Sequence, residues 1–309
     1  MPERGPAAVS AGRFIQAGGV RTFVVEAGSG PAMVLLHGAS IGVEAYVTFH
    51  RQIEPLSRSF RVIAFDQIGF GRTDMPADRR YRNRLERAEH AVAVLDALGV
   101  RAACLVGHSE GAFMAARIAV TRPDLVTRLV LMTSGGTAPA LGGAADEAWM
   151  AASRRAYDYR NFPGDAEAFV AAARRASPAM DEQHAGLLRE AYGRALASGQ
   201  AAMMRDSQSD GPTDYRAYVR LQEDHLLPYL PQMTAPTLLI WANEDATVPV
   251  ERGLALMRLI PRADMHVLNG SGHALMHDRP ETVTRLLAWF CADSRTAHAL
   301  YTGQEEPDE

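Results

Sequence analysis

Lysine is absent from this 309-residue sequence, so all 32 basic residues are arginines. Without lysine, Schiff-base catalysis and a phosphate-binding loop of the P-loop type are both excluded. Cysteine is scarce as well, since two cysteines are too few for a disulfide framework or a four-cysteine zinc site. Cys104 and Cys291 lie in apolar, periodic segments, and this setting predicts two buried and unreactive thiols.

Long apolar runs and a strong charge of one sign are also missing. No run approaches the roughly 18 residues that would span a bilayer, and the first residues lack the pattern of a signal peptide. The formal net charge is only −4 and no block is strongly basic, so we expect no nucleic-acid or membrane partner. The composition, 47% apolar and 22% charged, predicts a globular protein. We place it in the cytoplasm and expect it to act on a small-molecule substrate.

Short apolar runs alternate with helical patterns in the first half and the last quarter of the chain. The runs that predict strands are 20–26, 32–36, 61–65, 102–106, 127–132, 237–241 and 263–268. The patterns that predict helices between and after them are 84–98, 110–121, 250–259 and 280–291. This alternation is typical of an α/β fold with a doubly wound, mostly parallel sheet.

The strand signal disappears between residues 138 and 232, where alanine-rich helical patches cover 144–157, 165–176, 181–198 and 214–226. We therefore assign residues 1–137 and 233–292 to an α/β core and residues 138–232 to an inserted helical cap. Residues 293–309 are polar and form a C-terminal tail in this assignment. A cap placed over the strand ends would enclose a ligand.

One motif carries the strongest chemical signal. Gly107-His108-Ser109-Glu110-Gly111 follows an apolar strand and opens a helical pattern, which is the setting of the nucleophile elbow G-x-S-x-G. The turn is so sharp that glycine is favoured on both sides of the serine. A serine is a weak nucleophile without a base, so the motif predicts an acid and a histidine elsewhere in the chain.

Both partners follow in the order serine, acid, histidine. The loop after strand 237–241 presents Asp245, and the loop after strand 263–268 presents His273. His273 would take the proton of the serine, and Asp245 would fix the histidine tautomer. The neighbouring Glu244 is the alternative acid, and His277 is the alternative base.

These residues resemble the α/β-hydrolase superfamily over roughly residues 20–292, and the resemblance includes the His37-Gly38 pair and the Gly272-His273 pair. It implies that the backbone N–H groups of Ala39 and Glu110 form an oxyanion hole. It also implies acyl transfer to the serine and then to water, with no metal and no organic cofactor.

A narrower resemblance is to the meta-cleavage product hydrolases, which break carbon–carbon bonds in dienoates. The segment 131–136 and the cap stretch Leu187-Leu188-Arg189-Glu190 resemble theirs, and the resemblance implies that Arg189 binds an acidic substrate group. Ser40, His108 and Ala274, which flank the motifs, are further candidates for substrate binding. The Glu110 side chain would disfavour an anion unless an arginine compensates it.

Three functions remain open at this point. We expect first a serine hydrolase that cleaves a small or medium carboxylic ester or lactone through an acyl-enzyme on Ser109. The alternative is a carbon–carbon bond hydrolase of the meta-cleavage type, acting on a vinylogous diketo acid. The second alternative is a non-hydrolytic or receptor member of the same fold. We expect three aromatic residues of the cap to pack against the sheet, with the lining of an apolar pocket as the alternative, namely Trp149, Tyr157 and Tyr159.

Overall fold

The computed structural model describes residues 12–176, 180–208 and 215–292, and its centre is an eight-stranded sheet. The strands, in chain order, are β1 Arg13–Ala17, β2 Val20–Ala27, β3 Ala32–Leu36, β4 Arg61–Phe65, β5 Ala103–His108, β6 Val126–Met132, β7 Thr237–Ala242 and β8 Ala263–Leu268. Their order across the sheet is β1-β2-β4-β3-β5-β6-β7-β8. The first two strands pair antiparallel, and β3 to β8 are parallel. The predicted α/β fold with a mostly parallel sheet is confirmed.

Helices cover both faces of this sheet. They are α1 Ala45–Leu56, α2 Arg84–Ala97, α3 Glu110–Thr121, α9 Val250–Met257, α10 Leu275–Asp278 and α11 Pro280–Cys291, with α4 to α8 given below. One apolar cluster joins the sheet to α2, α3 and α9, and another joins it to α1, α10 and α11. Because both faces are covered, central strands such as β7 are buried at every position, and this explains their continuous apolar runs.

The edge strand β1 was not predicted from the sequence. Its burial alternates weakly, and Ala17 is its one fully buried residue. A strand at the edge of a sheet has few apolar neighbours, so it leaves little hydrophobic periodicity to detect.

The described residues between β6 and β7 include five α-helices and no strand. They are α4 Gly143–Ala156, α5 Ala166–Ala176, α6 Glu182–Ser198, α7 Gln200–Asp206 and α8 Tyr215–His225. Helices α5 and α6 pack through stacked rings of Phe169 and Tyr192, whose centroids are 4.0 Å apart. No described helix has both the length and the apolar character needed to cross a membrane. The assignment of 138–232 as a separate cap stays a prediction, and the tail 293–309 lies outside the described residues.

The two cysteines are bonded to each other in this structure. Cys104 lies on β5 and Cys291 ends α11, with their Cα atoms 5.9 Å apart. Both side chains belong to the apolar cluster between the sheet and α11. The expectation of two separate thiols is wrong here, because the packing of the last helix against the sheet brings residues 187 positions apart into contact.

Candidate active site

The nucleophile elbow joins β5 to α3. Ser109 stands between them with φ 55° and ψ −121°, a backbone conformation that non-glycine residues rarely adopt. The serine N–H donates to the carbonyl of Met132 at 3.0 Å, and the serine carbonyl accepts from the hydroxyl of Ser134 at 2.7 Å. A Cβ atom on Gly111 would overlap the carbonyl oxygen of Leu36, so the helix can approach the sheet there only with glycine. The elbow is thus held in a strained turn by packing and by hydrogen bonds on both sides.

The acid lies in the turn after β7. Asp245 is buried, and its Oδ2 lies 2.8 Å from Nδ1 of His273. Its Oδ1 accepts hydrogen bonds from the N–H and hydroxyl of Thr247 at 2.8 Å each and from the N–H of Val248 at 3.0 Å. Burial by itself raises the pKa of Asp245, but His273 and the Thr247 hydroxyl hold that pKa below its ordinary value. The carboxylate is therefore ionised and fixed in orientation at neutral pH.

The imidazole of His273 is oriented by this carboxylate. Because a carboxylate only accepts, Nδ1 carries the proton and Nε2 carries the lone pair. Nε2 is buried and has no hydrogen-bond partner among the described residues, and His273 lines the same cavity as Ser109. This is the tautomer that a base for the serine requires.

His108 contacts the backbone of His273, the candidate base. Its Nε2 lies 2.8 Å from the carbonyl oxygen of His273, and the Thr133 hydroxyl donates to the same oxygen at 3.3 Å. Burial and the nearby His273 lower the pKa of His108 to about 3, so the ring is neutral and donates through Nε2–H. The structure thus places His108 as a link between the elbow and the base loop, and not among the residues that line the cavity.

The alternative acid and base lie elsewhere. Glu244 is exposed, and its carboxylate accepts from the N–H of Ser271 at 3.0 Å. His277 stands on α10 beside His184, with ring centroids 4.0 Å apart. Asp245 and His273 are the acid and imidazole that the structure brings together.

A cavity of about 410 Å³ opens in front of the elbow. Its walls come from the strand ends and from the helices between β6 and β7. The lining residues are Ala39, Tyr81, Asn83, Ser109, Glu110, Gly135, Trp149, Ser153, Tyr157, Tyr159, Ser207, Gln208, Ala217, Tyr218, Leu221, Val248 and His273. Ala39 and Glu110, the expected oxyanion-hole residues, both reach this cavity. Ser40 is not among these residues, and neither is Ala274, which is exposed at the start of α10.

The Glu110 side chain is compensated by a buried arginine. Its carboxylate pairs with the guanidinium of Arg87, whose side chain is 0% exposed, and accepts from the Tyr81 hydroxyl at 3.2 Å. Arg87 also donates to Oε1 of Gln67 at 2.9 Å. The negative charge beside the nucleophile is therefore balanced within the protein.

Arg189 does not line the cavity, contrary to the role expected from the resemblance. Its side chain is 40% exposed and pairs with the carboxylate of Glu167 on the neighbouring helix α5. The packing of α5 on α6 directs this part of α6 to solvent. Sequence reasoning missed much of the cavity wall, including Tyr81, Asn83 and Tyr218, because these residues lie outside the motifs and no local pattern marks them.

Buried neutral histidines predict that acid destabilises the fold. Burial lowers the pKa of His37 and His108 to about 3 and that of His90 to about 4. An unfolded histidine titrates near pH 6.5, so each ring takes up a proton on unfolding below that pH, and its contribution to stability is lost as the pH falls. Burial and Glu44 raise the pKa of Asp66 to about 7. This one group takes up its proton in the folded state first, so it stabilises the fold as the pH falls and partly offsets the histidines.

We expect the free energy of unfolding to fall by on the order of 4 kcal/mol between pH 7 and pH 5. Urea unfolding at both pH values measures it. His90→Gln should lower the number of protons taken up on unfolding by about one, and so reduce the dependence of the unfolding free energy on pH. The exposed control His266→Gln should leave this dependence unchanged. Equal stability at the two pH values would contradict this account of the buried rings.

Curated relatives align with nearly the whole chain. The 2-hydroxymuconate semialdehyde hydrolase of Pseudomonas sp. (strain CF600) is 32% identical, and the alignment covers 93% of this chain and 95% of the relative. A 2-hydroxy-6-oxo-2,4-heptadienoate hydrolase from Pseudomonas putida is 29% identical over 91% of this chain and 96% of its own. These names overturn the first expectation from the sequence. The choice of an ester or lactone substrate was wrong, because the relatives are carbon–carbon bond hydrolases.

Family and structure comparisons agree with the topology of the sheet. Residues 31–280 match the family model described as alpha/beta hydrolase fold. A crystal structure of a meta-cleavage product hydrolase from Pseudomonas fluorescens IP01 superposes with a TM-score of 0.72 and 27% identity, covering 90% of this chain and 97% of that one. The order of the strands, the Ser109 elbow and the family match over most of the length together show that the chain belongs to the α/β-hydrolase fold family.

Proposed function

We propose that this protein is a carbon–carbon bond hydrolase of the meta-cleavage product type, acting on a 2-hydroxy-6-oxo dienoate. The observation that carries the proposal is the end-to-end alignment, at 32% identity, with a 2-hydroxymuconate semialdehyde hydrolase. The site supports it, since Ser109 and His273 line one cavity and the Asp245 carboxylate contacts the imidazole of His273.

The proposed reaction begins at the serine. Nε2 of His273 takes the proton of the Ser109 hydroxyl as its oxygen bonds to the carbon of the 6-oxo group. The negative charge that develops on the carbonyl oxygen is met by the N–H groups of Ala39 and Glu110. Each such donor typically contributes about 3 kcal/mol to transition-state stability. Asp245 keeps the tautomer of the histidine and stabilises the imidazolium.

The leaving group is a carbon, which imposes a condition on the substrate. The bond between the acyl carbon and its neighbour breaks only if the electron pair passes into a conjugated carbonyl, so the dienol must first take its keto form. The leaving fragment takes the electron pair of the broken bond as a dienolate, and the His273 imidazolium then protonates this dienolate. Water, activated by the same histidine, hydrolyses the acyl-serine and gives a carboxylic acid. One water is consumed, and no oxidant or reductant is needed.

The cavity walls suit a flat, conjugated molecule. Aromatic rings of Trp149, Tyr157, Tyr159 and Tyr218 form much of the lining, and such rings pack well against a planar chain. None of the described lining residues is an arginine. The acidic end of the substrate would instead meet neutral hydrogen-bond donors such as the Asn83 amide. This arrangement is tolerable because Arg87 balances the charge of Glu110.

The test compares two substrate classes with the purified full chain. We expect the dienoate, followed through the loss of its visible absorbance, to be hydrolysed with a kcat/KM at least about 100-fold above that of any short p-nitrophenyl ester, because the cavity is proposed to stabilise a dienolate leaving group. Faster turnover of the esters would overturn the proposal. An absence of turnover with both classes would overturn it in favour of a non-hydrolytic member of the fold.

Arg189→Ala provides a matched control in this assay. Since Arg189 is exposed and paired with Glu167, the variant should keep the wild-type KM for the dienoate. A rise in KM would show that Arg189 contributes to substrate binding.

A further inference from the structure

Three histidines from three separate elements converge away from the catalytic cavity. His50 lies on α1, His184 on α6 and His277 on α10, and one nitrogen of each ring lies within 4.8 Å of the others. The ring centroids are 5.3 Å apart for His50 and His184, 5.2 Å for His50 and His277, and 4.0 Å for His184 and His277. The cluster joins the core helices to a helix from the segment between β6 and β7.

Each ring has one buried nitrogen without a hydrogen-bond partner among the described residues. These atoms are Nε2 of His50, Nδ1 of His184 and Nδ1 of His277. His50 is 8% exposed and His184 is 7% exposed, so water reaches neither ring freely. A single buried polar atom left unpaired is uncommon in folded proteins, and three in one cluster indicate a missing common partner.

The protonation of His50 can be read from its contacts. Its Nδ1 lies 3.1 Å from the carbonyl oxygen of Val47, and because a carbonyl only accepts, Nδ1 carries the proton. Nε2 therefore presents a lone pair to the cluster. Histidine ligands of metal ions commonly have this second contact, which fixes the ring and its tautomer.

We propose that His50, His184 and His277 bind one divalent transition-metal ion, with zinc as the best fit. Neutral imidazole is a preferred ligand of zinc, and three histidines with a water in the fourth position form an established coordination set. Zn–N bonds of about 2.0–2.1 Å in a tetrahedron place the nitrogens about 3.3 Å apart, so rings already within reach of one another need small rotations only.

Charge and access are compatible with a cation at this position. The nearby cation of Arg51 opposes a metal ion, but it is paired with the carboxylate of Asp181. A surface cavity of about 420 Å³ borders His50, and its charged walls are balanced, with Glu54 and Glu281 set against Arg51 and Arg285. The proposed ion would enter by this cavity, which reaches His50.

The bound ion would act on the fold and not on the substrate. It would tie α6 to α1 and to α10, and α10 begins two residues after His273. Binding to the folded state alone stabilises that state. The proposal does not depend on the substrate, and its test requires no activity assay.

The test uses the untagged full chain, stripped with a chelator, and titrates it with ZnCl₂ in a calorimeter and with CoCl₂ in a spectrophotometer. We expect one equivalent bound with a micromolar or lower Kd, visible d–d absorption from four-coordinate cobalt, and a Tm raised by about 5 °C in excess zinc. No binding by the wild-type protein would overturn the proposal, whatever the variants do.

Matched variants locate the ion. His184→Gln and His50→Gln should each lose the cobalt spectrum and the rise in Tm, and circular dichroism confirms that they fold. The exposed His266→Gln should bind as the wild type does, and so should His273→Ala, which separates this site from the catalytic histidine. Binding that survives in both His184→Gln and His50→Gln, or that disappears in His273→Ala, would overturn the assignment.

Discussion

Replacing Ser109 by alanine is expected to lower kcat for the dienoate by about 10⁴- to 10⁶-fold, the range seen when a catalytic serine is removed from a serine hydrolase. The reason is that Ser109 holds the strained position between β5 and α3, where its hydroxyl lies at the same cavity as the base His273. An alanine fits the same backbone, so the Tm should change little. Stopped-flow loss of the substrate absorbance measures the rate, and fluorophosphonate labelling mapped by mass spectrometry identifies the nucleophile.

Ser57→Ala is the matched control, since Ser57 caps the far end of α1 and contacts backbone carbonyls there. It should keep wild-type activity and leave the labelled site unchanged. If Ser109→Ala keeps a tenth of the activity, or if the label maps to another residue, the mechanism through Ser109 is wrong. This outcome would not contradict the proposed substrate, provided that the wild-type protein hydrolyses the dienoate.

Asp245→Asn is expected to lower kcat by about 10⁴-fold, the loss found when an amide replaces the triad carboxylate in another serine hydrolase. The Asp245 carboxylate accepts a hydrogen bond from Nδ1–H of His273 at 2.8 Å, and this leaves the lone pair on Nε2. An amide turned to donate toward Nδ1 favours the opposite tautomer, whose Nε2 carries a proton and cannot act as a base. Thr247 and Val248 still hold the side chain, so the geometry should survive.

Glu244→Gln separates this effect from the removal of any carboxylate in the loop. Glu244 is exposed and contacts the Ser271 backbone, so its variant should keep the activity within about two-fold. A large loss in Glu244→Gln together with a small loss in Asp245→Asn would assign the acid to the neighbouring residue. Rates for both variants and circular dichroism of both proteins decide the question.

The parts of this site that lie at strand ends could be predicted from the sequence. The elbow needs glycine on both sides of Ser109 for steric reasons, and a parallel sheet brings the residues after β7 and β8 to the same edge as the elbow. Order along the chain was therefore enough to propose Asp245 and His273. The aspartate–histidine contact at 2.8 Å is what that order implies.

The substrate and the walls of its cavity could not be predicted in the same way. They depend on how helices α4 to α8 pack, and a helical pattern does not state which face meets the cavity. Arg189 illustrates the difficulty, since one arginine among many on amphipathic helices gives no sign that its partner is Glu167. Trp149 and Tyr157, by contrast, line the cavity, although their positions in the sequence favoured packing against the sheet. The Cys104–Cys291 bond depends on the docking of the last helix, which no local pattern encodes.

The walls and the reacting groups of this cavity come from different parts of the chain. Loops at the strand ends supply Ser109, His273 and Asp245, the proposed catalytic residues, whereas α4, α8 and the loops beside them supply most of the aromatic surface. Substitutions in those helices can reshape the cavity without moving any strand end. A lineage with this architecture can thus drift from one substrate to another by point changes in the helices and stay hydrolytic throughout. A change of chemistry, by contrast, must pass through the crowded elbow, where few replacements are tolerated.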